Sequence, residues 1–88
     1  MIVYLDAERL KDKAGMAEYM KEALNLPDWF GGNLDALYDC LTEIDYEVTF
    51  ILIEEEVKLF TRIPYAYRTL CVISDAAEEN PFLRILFR

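Results

Sequence analysis

Histidine is absent from these 88 residues. That removes Ser-His and Cys-His nucleophilic pairs, and with them the side chain whose charge ordinarily changes near neutral pH. Cysteine is scarce: Cys40 and Cys71 are the only two, too few for a disulfide framework and, without histidine, too few for a four-ligand zinc site. Both read as reduced core filler. Gly15, Gly31 and Gly32 are the only glycines and fit none of the loops that cradle phosphates in nucleotide enzymes. Apolar runs stop short of the roughly 20 residues that span a bilayer. The first residues also lack the basic and then apolar pattern of a secretion signal, so a cytoplasmic location is expected.

Positive charge is scarce too. Nine Lys and Arg face 17 Asp and Glu, a net charge of −8. This argues against nucleic acid or an anionic membrane as a direct partner and for a basic protein surface. From Glu22 to Val57 there is no base at all, while Glu22, Asp28, Asp35, Asp39, Glu43, Asp45, Glu47, Glu54, Glu55 and Glu56 all occur. A charge run of this kind is ordinarily a solvated face that aids solubility, so a binding role needs a further argument.

What is present suffices for a globule. The chain is 55% hydrophobic and 14% aromatic, far from the depleted composition of a disordered segment, and its length suits one domain over residues 1–88. Ile2-Val3-Tyr4-Leu5 predicts a first strand. Asp12 can cap a helix from about Lys13 to Leu24, in which Met16, Met20, Ala23 and Leu24 recur at helical spacing before Asn25-Leu26-Pro27 stops it. Pro27 to Gly32 reads as a loop carrying Trp29 and Phe30, and Asn33 caps a second helix. Val48 to Ile53 is almost continuously apolar, the pattern of a central strand covered on both sides. A short third helix follows over about Glu55 to Arg62, its three glutamates suiting a helix start. Pro64 opens a fourth helix to about Asn80, Pro81 breaks it, and Leu83 to Phe87 supplies the last strand. Strands separated by helices imply crossovers and a parallel sheet. The expected fold is α/β, a three-stranded parallel sheet with about four helices packed on it.

The second helix has two faces. Leu34, Leu37, Leu41 and Ile44 form an apolar stripe, while Asp35, Tyr38, Asp39 and Thr42 share another. Asp35, Asp39 and Glu43 form a ladder of like charge at i, i+4 and i+8, where each adjacent pair costs about 0.2 to 0.5 kcal/mol and nothing basic in the helix relieves it. Asp35 is favoured in the first turn by the helix dipole, but Asp39, read as mid-helix, has no such compensation. Residues that strain a local rule without a local gain are candidates for function, and Trp29, Phe30 and Tyr38 are near enough to act as aromatic interface anchors. Paired carboxylates could also serve as a general acid and base or hold a divalent ion. Yet calcium sites use an irregular loop, and carboxylates on successive helical turns are a weak signal of catalysis. No cofactor, bound metal or enzymatic activity is expected.

The segment from Leu26 to Thr42, LPDWFGGNLDALYDCLT, closely resembles the barstar family, intracellular inhibitors of secreted ribonucleases, and the order of elements on either side resembles that fold. The resemblance implies that the loop from Trp29 to Gly31 and the second helix plug a ribonuclease active site. In that arrangement Asp39 would occupy the place of a substrate phosphate among Arg and Lys side chains, supported by Asp35. Trp29 and Phe30 stand where the family carries aromatics; Asn33, Leu34, Asp35, Asp39 and Thr42 are the family's residue types, and Tyr38 replaces a tryptophan. Asp75, near the end of the fourth helix, matches an outlying acidic contact. The chain departs from the family at Gly32, in place of an acid, and at Glu43, Ile44 and Asp45, in place of a glycine, a tryptophan and an apolar residue. Glu43 and Ile44 join the expected contact set because such rim changes set partner choice. The implied partner is a basic, extracellular-type ribonuclease, met by a chain that is a monomer when free. The alternative is an immunity protein against another basic nuclease or toxin.

Overall fold

In the computed structural model, which describes residues 1–27 and 29–88, the elements follow the order β1 (Ile2–Tyr4), α1 (Lys13–Leu24), α2 (Leu34–Thr42), β2 (Val48–Leu52), α3 (Glu54–Arg62), α4 (Pro64–Glu79) and β3 (Leu83–Phe87). Asp28, one of the acids in the base-free stretch, lies outside the described residues. The three strands form one parallel sheet in the order β1-β2-β3. Val3 sits opposite Phe50, and Phe50 opposite Ile85. The strand β2 is central, and Val48, Phe50, Ile51 and Leu52 are all buried.

The order of the strands explains where the helices lie. Crossovers of one hand that step in one direction across a sheet deliver their helices to the same face, and burial agrees. Val3, Phe50, Val48 and Leu83 belong to the core beneath the helices. On the opposite face, Ile2, Tyr4, Arg84 and Leu86 are exposed, and only Ile51, flanked in register by Tyr4 and Leu86, is buried. Among the helices, α2 packs chiefly on α4, and α4 also contacts α3, β3 and α1. The acidic helix is thereby anchored to the middle of the helical layer.

The local grammar accounts for most boundaries. The Asp12 carboxylate accepts the Gly15 N–H at 2.7 Å and caps α1. Asn25 closes that helix in the left-handed region, φ 51°, a conformation that asparagine tolerates better than most residues. Gly15 is required by close approach: a Cβ there would stand 2.6 Å from the Arg9 carbonyl oxygen. All three glutamates of α3 fall in its first turn, and Pro64 begins α4 directly after Ile63. One expectation fails. Cys40 is buried in the core, but Cys71 on α4 is exposed and both are free thiols, so Cys71 is not core filler. It follows Leu70 on a helix whose buried positions are Ala66, Thr69, Ile73 and Ala76, and this spacing turns position 71 outward.

Candidate partner-binding face

The acidic helix is fixed at both ends. At its start the Asn33 side chain accepts the Ala36 N–H at 2.7 Å, satisfying one of the amide groups a helix leaves unpaired there. The lead-in loop turns through a 3.0 Å bond from the Phe30 N–H to the Pro27 carbonyl. It then passes Gly32 at φ 75°, where a Cβ would approach the Ala17 Cβ to 3.3 Å. Glycine suits that backbone better than the acid which the resemblance would put there. Leu37, Cys40 and Leu41 are buried on the inner side of α2, and Leu34, Tyr38 and Phe30 are half-buried against the same core.

The other end is held by a residue that the sequence marks only as the last of the fourth helix. Asn80, buried at the end of α4, donates through its side-chain amide to the Leu41 and Ile44 carbonyls at 2.9 Å each, and its side-chain oxygen accepts the Phe82 N–H at 2.9 Å. Two carbonyls at the end of α2 are thus satisfied from α4. The helix is also shorter than the apolar stripe suggests. It ends at Thr42, and Glu43 is the cap, its N–H turned back to the Cys40 and Leu41 carbonyls. Asp39 therefore opens the last turn instead of lying mid-helix. There the dipole disfavours a carboxylate, and α2 has no base in that turn. Asp39 and Glu43 both sit at the end where negative charge is least welcome.

The remaining electrostatics separate this helix from its neighbour. Arg9 pairs with Glu22 at 3.0 Å and Glu18 at 3.9 Å, both on α1. Among the described residues no ion pair includes Asp35, Asp39 or Glu43. Their field is felt by the molecule itself: burial, and then the charges of Glu43 and Asp39, push the Cys40 thiol above its ordinary range.

The structure distributes the expected contact residues unevenly. Trp29 is 68% exposed; Gly31, Asn33, Asp35, Asp39 and Glu43 are exposed, Phe30, Leu34, Tyr38 and Thr42 half-buried. The Thr42 hydroxyl donates to the Asp39 carbonyl at 3.0 Å. Asp75 is exposed on α4, the helix against which α2 packs. Ile44 is the exception. It is buried within the core cluster, because the chain turns inward after α2 toward β2, and its side chain is not free for a partner. Sequence reasoning also missed a shallow groove of about 180 Å³ beside Trp29, lined by Leu24, Asn25, Leu26, Pro27 and Cys40 and by the segment from Glu43 to Tyr46. Its walls come from three separate segments, so no single stretch of sequence could signal it.

The chain is thus an α/β domain whose acidic helix, with no ion pair among the described residues, is braced at both ends beside an exposed tryptophan. The chain belongs to the barstar family: the family described as Barstar (barnase inhibitor) matches residues 1–84. It is also 35% identical over 78 residues, 88% of this chain and 86% of the relative, to a protein of Bacillus subtilis (strain 168) named "Putative ribonuclease inhibitor YrdF". The family is one of inhibitors and not of enzymes, and the role of this chain is barnase-inhibitor-like.

Proposed function

We propose that this chain binds a basic ribonuclease of the barnase kind and occludes its active site with α2 and the loop before it. Asp39 stands where a substrate phosphate would, among the enzyme's Arg and Lys side chains, and Asp35 supplements it. The observation that carries this reading is the placement of Asp39: exposed, at the dipole-disfavoured end of α2, with no ion pair among the described residues. A cation from outside relieves that repulsion, and the relief favours the complex. Bracing by Asn33 and Asn80 holds the carboxylates in place before binding, which lowers the ordering entropy lost on association. Trp29, Phe30, Gly31, Asn33, Leu34, Tyr38 and Thr42 surround the charges, with Asp75 as an outlying contact. We place the inhibitor in the cytoplasm as a monomer when free; no described helix is long and apolar enough to cross a membrane.

The test is titration of the purified chain into barnase and related basic ribonucleases with an RNA cleavage readout. Stoichiometric inhibition of at least one supports the reading, and activity untouched in all of them overturns it. A second reading, an immunity protein against another basic nuclease or toxin, is favoured by the acidic rim at Glu43 and Asp45, since rim charges choose among partners. Capture of a basic nuclease of another class, with no inhibition of ribonucleases, would favour it over the first.

A further inference from the structure

The groove beside Trp29 adjoins the acidic ladder and shares Glu43 with it. Its roughly 180 Å³ is the space of about six water molecules, well below the roughly 300 to 1,000 Å³ of a small-molecule pocket. One long side chain fits it. Leu24, Leu26, Pro27 and Ile44 give it an apolar lining beside Asn25, and Trp29, which also lines it, is exposed. Glu43 and Asp45 also line it, both exposed and with no ion pair among the described residues. An occupant must therefore have a methylene stem for the apolar lining and a positive head for the carboxylates. Arginine meets both demands, because its stem packs on apolar surface, its guanidinium stacks on an indole face, and its fork of donors suits carboxylates.

We propose that this groove is a specificity subsite that seats one arginine side chain of the inhibited enzyme, with Trp29 over the guanidinium and Glu43 and Asp45 pairing with it. The inference rests on the inhibitor reading above and deepens it: Asp39 engages the catalytic cations, while the groove selects enzymes that carry an arginine at the margin of the cleft. It also assigns a role to the acids that replace a glycine and an apolar residue in the family pattern. The buried Cys40 thiol also lines the groove, pushed up first by burial and then by the charges of Glu43 and Asp39.

The test uses the free, full chain with N-acetyl-arginine amide as probe, followed by NMR of backbone amides and the Trp29 indole. Saturable shifts in the millimolar range are expected at Trp29, Cys40, Glu43, Asp45 and Tyr46. The uncharged citrulline analogue should bind at least tenfold more weakly, and the double variant Glu43→Gln, Asp45→Asn should lose the response while Asp39→Asn retains it. Equal binding of citrulline, a response unchanged in the double variant, or shifts confined to Asp35 and Asp39 would each overturn the subsite. Inhibition assays run in parallel keep the two ideas apart. A wild-type chain that inhibits a ribonuclease but shows no groove response refutes the subsite alone. A groove response without inhibition of any ribonuclease refutes the inhibitor reading instead.

Discussion

The helices α1 and α2 each carry two carboxylates, yet α1 also carries Lys13 and Lys21 while α2 has no base, and the charges are used differently. On α1, Glu18 and Glu22 converge on Arg9 of the preceding segment; that guanidinium also lies 4.7 Å from the Tyr19 ring centre. Those carboxylates have an internal partner. On α2, Asp35, Asp39 and Glu43 have no ion pair among the described residues, although Asn33 and Asn80 fix the helix that carries them. On the proposed function, the rigid element bearing unrelieved charge meets an external cation, whereas the neutralised one serves the fold. Charge count separates the two helices, α1 balancing two lysines against two glutamates where α2 has no base, and the reach of Arg9 to Glu18 and Glu22 widens the difference.

The largest effect that could break this contrast is on binding. Asp39→Ala should weaken a ribonuclease complex by about 2 to 5 kcal/mol, the general range for truncating one partner of a buried charge pair, to which complexes of this same family contributed and which is therefore not an independent forecast. Glu22→Ala should leave affinity unchanged. Titration calorimetry of both variants decides it, and equal losses would erase the distinction between the helices.

Next comes the bracing. Asn80→Ala removes a donor from the Leu41 and Ile44 carbonyls and the side-chain acceptor of the Phe82 N–H, and should destabilise the fold by about 1 to 3 kcal/mol, read from a denaturant midpoint at constant slope. A neutral result would mean that the presenting end of α2 is held by something other than α4.

A smaller effect has the opposite sign. Asp39→Asn should stabilise the free chain by about 0.3 to 1 kcal/mol by removing a carboxylate from the dipole-disfavoured end. Binding and stability would then respond in opposite directions at one residue, the signature of a functional site. Thermal unfolding of the free variant measures it, and a loss of stability would show that Asp39 is satisfied within the fold.

The smallest effect concerns the two thiols. Alkylation at pH 8 should modify exposed Cys71 promptly and Cys40 only on unfolding, followed by mass spectrometry. The folded-state pKa of Cys40 is raised above its ordinary value of 9.0 by burial, Glu43 and Asp39. The folded chain thus holds that proton more tightly than the unfolded one, and the contribution to stability is complete below pH 9 and declines as pH rises beyond it. A Cys71→Ser chain that gains stability above pH 9 would contradict the assignment.

Much of this was legible one segment at a time. The caps Asp12 and Asn33, the stops at Asn25 and Pro81, and the helix opening at Pro64 act over a few residues, so sequence and structure agree on them. The strands agree to within one residue, Leu5 and Ile53 lying just beyond their ends. The errors share a cause. The apolar stripe carried on to Ile44 as though α2 were longer, because the stripe records burial and not backbone conformation. Ile44 keeps its burial after the helix has ended. Cys71 reads as core in the sequence because its apolar neighbours on both sides mask the helical phase that turns it outward.

The amino-acid order by itself determined the alternation of strands and helices, the absence of histidine chemistry, and a run of acids without bases, since each depends on residue identity or on contacts a few positions apart. Tertiary structure alone decided which acids are neutralised, where α2 stops, and what braces it. Arg9 reaches Glu22 across 13 positions and Asn80 reaches Ile44 and Leu41 across 36 and 39. Contacts at those separations exist only after the chain has closed its loops around a common core, and no local propensity encodes them.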